Sequence, residues 1–293
     1  MRKKSAISET IMHGIFLLCG LLAVGFLLLI TMYLILSGLP AIRKIGLIEF
    51  LFGTTWTPTH VSEPRFGIFP MLLTSLLGTI SAVIIALPIG FFTALFLAKL
   101  APARIAAVIR AMVHLLAGIP SVVYGLIGML ILLPALRRIF HLPAGDSLLA
   151  AVIVLTVMIL PSMITVSEAA LRAVPQEYEA GSLALGATEI ETYFRVSTPA
   201  ASSGIAAAIV LGIGRAIGEA MAIMMVAGNV ANLPSFLKSV RFLTTGVAME
   251  MNYASPGSLQ REALFSIGLV LFVCIFLINI LLQRILKGGR KKT

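Results

Sequence analysis

Arg215 and Glu219 stand four residues apart in Gly212-Ile-Gly-Arg-Ala-Ile-Gly-Glu219, inside the otherwise apolar run 199–227. On a continuous helix that spacing puts a guanidinium and a carboxylate on one face, one turn apart. A guanidinium carries five N–H donors, and one carboxylate cannot occupy them all, so donors remain for a tetrahedral oxyanion. A lone charge in hydrocarbon costs roughly 2.5–3.5 kcal/mol on insertion scales, so such residues face a polar path or neutralise each other. Arg215 and Glu219 are therefore the candidate pathway residues, with a structural intrahelical ion pair as the alternative. Gly214 and Gly218 form a G-x-x-x-G, which lets a neighbouring helix approach. The glycines lack the spacing and the preceding strand of a dinucleotide fingerprint, and no G-x-x-x-x-G-K-[ST] occurs. The chain itself is not expected to bind ATP. Met221, Met224 and Met225 read as packing residues, and no catalytic set, metal site or cofactor is expected.

A second constellation is polar. Residues 167–198 hold Glu168, Glu177, Glu179, Glu189 and Glu191, five of the chain's 12 acidic residues. Pro175 fits the first position of a helix that runs to Leu185, and Gly186 is a natural left-handed cap. Thr188 with Glu191 makes a capping box for a second helix ending near Ser197, and Thr198-Pro199 caps the apolar run that follows. Tyr178, Ser182 and Leu185 fall at i, i+4 and i+7. That face suits docking into another protein's groove, or an inert amphipathic connector.

The elements that must position these residues are membrane helices. The chain has 293 residues, of which 59% are hydrophobic and 12% charged. Continuous apolar runs long enough to cross a ~30 Å hydrocarbon core fall at about 11–37, 69–97, 116–136, 147–165, 199–227 and 263–286. Backbone groups in lipid must be satisfied internally, so continuous runs of this kind are helices. The first run is longer than the apolar region of a cleaved signal peptide, so an uncleaved first helix is expected. Residues 103–114 suit a short interfacial helix with Arg104 and Arg110 snorkelling and His114 as a packing residue. Cys19 and Cys274 lie in apolar runs and read as small packing residues. The net charge of +10 could suggest nucleic acid, but the cations gather in loops and tails. Six spans put both termini on one side. Of the 22 Lys and Arg, 13 fall on the side of the termini and 8 on the other, which makes the termini and 167–198 cytoplasmic. The organisation expected is an N-terminal span and outer loop (1–66), a core (67–286) and a basic tail (287–293).

The polar segment resembles the cytoplasmic EAA loop of ABC-transporter permeases, whose pattern is E-A-A, three residues, G, nine residues, I-x-L-P. Counted from Gly186, Val196 and Pro199 take the family's positions and Thr198 replaces the leucine. Ala180 occupies the glutamate's place and Glu179 stands one residue early, so that glutamate's role does not carry over. Wider stretches, including AGIPSVVYG, SLALGAT and RAIGEAMAIMMVAGN, resemble the PstC-type permease of phosphate importers over residues 66–286. The resemblance implies an all-α, six-helix, type I ABC importer permease fold in the inner membrane. It implies contact with an ATPase through Glu177, Tyr178, Glu179, Ser182, Leu185, Gly186 and Pro199. It implies as partners a PstA-like sister permease, a PstB-like ATPase dimer inside and a PstS-like phosphate-binding protein outside, with phosphate as substrate. A PstA-like sister subunit, or a permease for sulfate or molybdate, is the alternative within the class. An ion-gradient-driven secondary transporter is the alternative outside it, and would need no docking loop. A membrane-embedded hydrolase lacks a catalytic set.

Overall fold

The computed structural model of the chain describes residues 2–60 and 62–289. Their structure is almost entirely helical. Helix α1 (Arg2–Ile45) is followed by α2 (Leu47–Phe52) and a two-residue antiparallel pair, β1 (Trp56–Thr57) with β2 (Arg65–Phe66). Helix α3 (Phe69–Leu95) passes into a π-helical turn over Phe96–Leu100. Helix α4 (Ala103–Gly118) leads to α5 (Ser121–Ile127), a second π turn (Gly128–Leu132) and α6 (Leu133–Ile139). Then come α7 (Leu148–Arg172), α8 (Gln176–Ala184), α9 (Glu189–Thr192), a third π turn (Tyr193–Ser197) and α10 (Thr198–Ala200). The chain ends with α11 (Ser202–Gly218), α12 (Met221–Val226), α13 (Leu243–Glu250) and α14 (Leu259–Gly289).

Five helical stretches are long and apolar enough to cross a bilayer: Met12–Ile45, Phe69–Leu100, Ser121–Ile139, Leu148–Arg172 and Leu259–Leu281. The bent pair Glu189–Ala200 and Ser202–Gly218, folded by 69°, supplies a sixth. Most expected boundaries move outward. The first helix continues through Pro40 to Ile45, because Gly38 lies on the backbone of Phe265 and Ser266, and the Ser266 hydroxyl donates to the Gly38 carbonyl at 2.5 Å. The fourth helix runs to Arg172, so Ser167 and Glu168 belong to its buried face and the polar loop starts only at Ala173. The third span starts at Ser121, beyond Pro120, and the helix before it is longer than the expected 103–114. The fifth run is not one helix. It bends at Ala201, which ends α10 before α11 begins, and breaks at Glu219-Ala220. The outer stretch 228–262 is not a plain loop, since α13 packs inside it against α14 and α3. His114 is exposed rather than packed, and Cys19 is exposed on α1. Part of the expected basic tail, 290–293, lies outside the described residues.

Helix α7 is the centre of the bundle. Of its most apolar window 61% is buried inside the chain, against 0% for α1. Its face of Leu155, Met158, Ile159 and Met163 packs on Ala82 and Ala86 of α3 and on α11. Small residues permit that closeness. A Cβ on Gly90 of α3 would meet Met163 at 3.4 Å, one on Gly212 of α11 would meet its sulfur at 3.1 Å, and one on Gly204 would overlap Ala170. Gly214 and Gly218, the expected close-approach pair, meet no other helix among the described residues of this chain; the α11 stripe that meets α7 carries Gly204 and Gly212. In lipid, where burial of apolar area gives helices no advantage over lipid tails, such fitted contacts carry the association.

Gly204→Val should therefore lower the unfolding temperature of the detergent-solubilised protein, with an overpacking cost of roughly 1–3 kcal/mol. Gly214→Ala, at a site with open space, should leave it unchanged or slightly higher, since alanine is the better helix former. Fluorescence-detected thermal melts of the two variants check the contrast.

Candidate functional site

The end of α11 is a break. Gly218 closes the helix and Glu219 is extended, at φ −72° and ψ 132°. Its Oε1 then accepts the Ala222 N–H at 2.9 Å, inside the first turn of α12, and its carbonyl accepts the Thr244 hydroxyl at 2.7 Å. A side-chain oxygen that takes an unpaired N–H of a helix start is a cap. The expected one-turn pairing of Arg215 with Glu219 is absent for this reason. The two are not on one helix face, and the carboxylate is spent on the next helix. Half-buried Arg215 has no hydrogen bond or ion pair among the described residues. It lies in coulombic range of Tyr124, whose hydroxyl donates to the Leu116 carbonyl at 2.6 Å across the Ile119-Pro120 break. The two interrupted spans touch directly. A Cβ on Gly125 would stand 2.9 Å from the Ala222 Cα, and one on Gly128 would stand 2.8 Å from Val226. Non-helical backbone within a membrane protein is tolerated where protein buries it or a polar cavity receives it.

The polar loop is a helix, a glycine turn and a helix. Pro175 stands just before α8 rather than at its first position. Gly186 has φ +90° with nothing near a prospective Cβ, so the left-handed turn itself demands glycine. The Thr188 hydroxyl accepts the Glu191 N–H at 3.3 Å, and the Glu191 carboxylate accepts the Thr188 N–H at 3.1 Å, both halves of the expected box. The expected outward stripe is divided. Tyr178 (57% exposed) and Leu185 (91%) do face out, with Leu183 and Ile190 beside them. Ser182 turns inward and exchanges a hydrogen bond with Thr192 at 2.9 Å. Glu179 turns inward too, accepting the Ser197 hydroxyl at 2.7 Å and pairing with Lys99 at 2.5 Å. Glu177 and Pro199 are exposed, and Pro199 lies in α10 rather than capping a span.

Two hubs escaped the sequence reading. Glu168, 7% exposed, receives Arg110 Nε at 2.7 Å and Arg172 Nε at 2.8 Å on one oxygen, Oε1. Both guanidiniums also donate from Nη2 to the Leu97 carbonyl, at 3.2 and 3.1 Å. Arg110 is thus held in an ion pair rather than snorkelling free. The Glu168 to Arg172 spacing of four was the legible signal for half of this hub. On the opposite end, Glu250 accepts Trp56 Nε1 at 3.0 Å, Arg241 at 2.6 Å and Gln260 at 3.3 Å, tying β1, the segment before α13 and the start of α14 together. No local spacing announces that arrangement.

Residues 86–291 match the family described as "binding-protein-dependent transport system inner membrane component". The chain belongs to this family. It is a multi-pass inner-membrane permease subunit of the ABC transporter class and not an enzyme. The permease is 40% identical over 276 residues to the probable ABC transporter permease protein YqgH of Bacillus subtilis, covering 93% of this chain and 89% of that one. It is 34% identical over 284 residues to the phosphate transport system permease protein PstC of Haemophilus influenzae, covering 90% and 88%. A chain of the inward-facing MetNI methionine ABC transporter superposes with a TM-score of 0.57 over 76% of this chain and 94% of that one, at 22% identity, a likeness of fold alone.

Glu168→Ala would leave two guanidiniums without a counter-charge. Breaking a fully buried pair costs roughly 3–5 kcal/mol, and the half-exposed Arg172 side chain places this loss at or below about 3. Glu168→Gln, which keeps an acceptor for the two arginines, should lose less. Melting temperatures of the two variants, taken with Arg172→Ala, check the order.

Proposed function

We propose that this permease forms half of the translocation pathway of an ATP-driven importer of inorganic phosphate, in the position of a PstC-type subunit. The observation that carries the reading is identity of about a third with the Haemophilus influenzae phosphate permease across nine-tenths of both chains. Relatives from Pasteurella multocida and Mycobacterium tuberculosis with the same printed role support it, at 34% and 30% identity. The reading assigns as partners a PstA-like sister permease, a PstB-like ATPase pair at the exposed Tyr178 and Leu185, and a PstS-like phosphate-binding protein on the opposite face. In this reading Arg215 meets the anion. Its donors are free of protein partners among the described residues, and a guanidinium suits a tetrahedral oxyanion. Glu219 has a different task, holding the start of α12. The cation bias assigns the polar segment 167–198 and both termini to the cytoplasm.

Uptake of phosphate, sulfate and molybdate by the reconstituted complex tests the substrate. Phosphate alone should be transported, and equal sulfate uptake would refute the assignment. In the same assay Arg215→Gln should assemble normally, since no ion pair among the described residues is lost, and lower phosphate uptake about tenfold or more, the cost of one missing charge-assisted contact. Wild-type uptake by that variant removes Arg215 from the path.

Orientation has its own check. Cysteines at Leu185 and Tyr253, 91% and 87% exposed, should react with an impermeant maleimide from opposite faces of the membrane. Labelling of both from one side contradicts the six-span topology.

A further inference from the structure

The π-helical end of α3 is a joint gripped from three other elements. Its geometry follows from Pro102. The Ala101 N–H reaches back five residues to Phe96 at 2.7 Å, and the next residue has no N–H to give. The buried Leu97 carbonyl is therefore missed by both its α-helical and its π-helical donor. Arg110 from α4 and Arg172 from α7 replace them, each anchored on Glu168. Two residues further, Lys99 pairs with Glu179 of α8, both side chains being largely buried at 11% and 16% exposure. The same Glu179 oxygen accepts Ser197 from the turn that follows α9. Both halves of the polar loop thus converge on one carboxylate, and that carboxylate holds the end of α3. The exposed residues of the loop, Tyr178 and Leu185, lie outside this network.

We infer that Glu179 and Lys99 are positioning residues that pass movement of the polar loop to α3, with Glu168 and its two arginines as the seat on which the π turn shifts. The inference deepens the proposed function and rests on the loop being the element that meets the ATPase. A carbonyl held by side chains can trade partners without breaking a helical ladder. Single π turns within α-helices are frequent at functional sites, which suits a joint.

The test uses the complete reconstituted complex. Lys99→Gln should keep the ATPase bound and hydrolysing at the wild-type rate, while phosphate moved per ATP falls about tenfold, within the range typical of coupled sites. Exchanging the charges, Lys99→Glu with Glu179→Lys, should restore transport per ATP to within about twofold, by the same coupling. A purely structural pair would instead lower assembly, hydrolysis and transport together. Wild-type transport per ATP in Lys99→Gln, or an exchanged pair that assembles yet stays uncoupled, overturns the inference. Should Lys99→Gln fail to assemble, Ser197→Ala removes only one hydroxyl from Glu179 and must still reduce transport per ATP; full coupling there overturns it equally. Leu185→Asp separates the two layers. If the ATPase copurifies undiminished with that variant, the docking reading itself has failed, whatever Lys99 shows.

Discussion

Pro102 has no N–H to offer, and the Leu97 carbonyl it orphans sits where water cannot replace it. Unmet backbone groups near hydrocarbon cost several kcal/mol each, and that constraint shapes three irregular points of this bundle. At the end of α3 the missing donors come from Arg110 and Arg172. At the Ile119-Pro120 break, Tyr124 reaches back to the Leu116 carbonyl. At Glu219, Thr244 supplies a donor to the exposed carbonyl and the Glu219 carboxylate takes an exposed N–H. At each of the three, a side chain on another element donates to a carbonyl at the break. Each closure therefore also ties two elements together, so the places where the helices fail are the places where the bundle is cross-linked.

Between those points the bundle relies on close fit. Helix α7 lies between α3 and α11, and both neighbours present glycine or alanine where α7 is bulky. The arrangement changes at the end opposite the polar loop, where apolar packing around Phe50, Trp56 and Ile68 is joined to the Glu250 hub. There Gly53 and Gly67 bring two backbones so near that neither position accepts a Cβ. Arg241 completes the connection by donating to the Asn229 carbonyl at 2.8 Å while pairing with Glu250. The loops at that end are consequently parts of the folded unit, held at both the apolar and the polar level.

The spans were legible because hydrocarbon imposes a length and a composition that survive any tertiary detail. The capping box at Thr188 and the left-handed Gly186 were legible because their bonds lie within a few residues. What failed was whatever depended on partners distant in sequence. Ser182 looked outward by helical spacing, yet Thr192 draws it inward. Arg110 looked like a snorkelling cation, yet its partner lies 58 residues away on a helix that ran further than its apolar stretch suggested. Gly214 and Gly218 matched a packing motif, but within this chain the rotation of α11 turns Gly204 and Gly212 to α7. Rotation of a helix about its own axis is set by its neighbours, and one sequence carries little of it.

The misread pair is the most informative of these. Arg215 and Glu219 at i and i+4 would cancel on a straight helix, and the result would be a neutral, inert turn. Extended backbone at Glu219 prevents this by swinging the carboxylate to Ala222, where an uncapped helix start needs an acceptor. The break therefore makes two uses of a pair that a continuous helix would have consumed. The acid stabilises the start of α12, and the base keeps its donors. Within a span, a cation without a counter-charge, as Arg215 is among the described residues, is costly unless something polar meets it. In the proposed function, the interruption of the fifth span is the structural condition for Arg215 to meet an oxyanion.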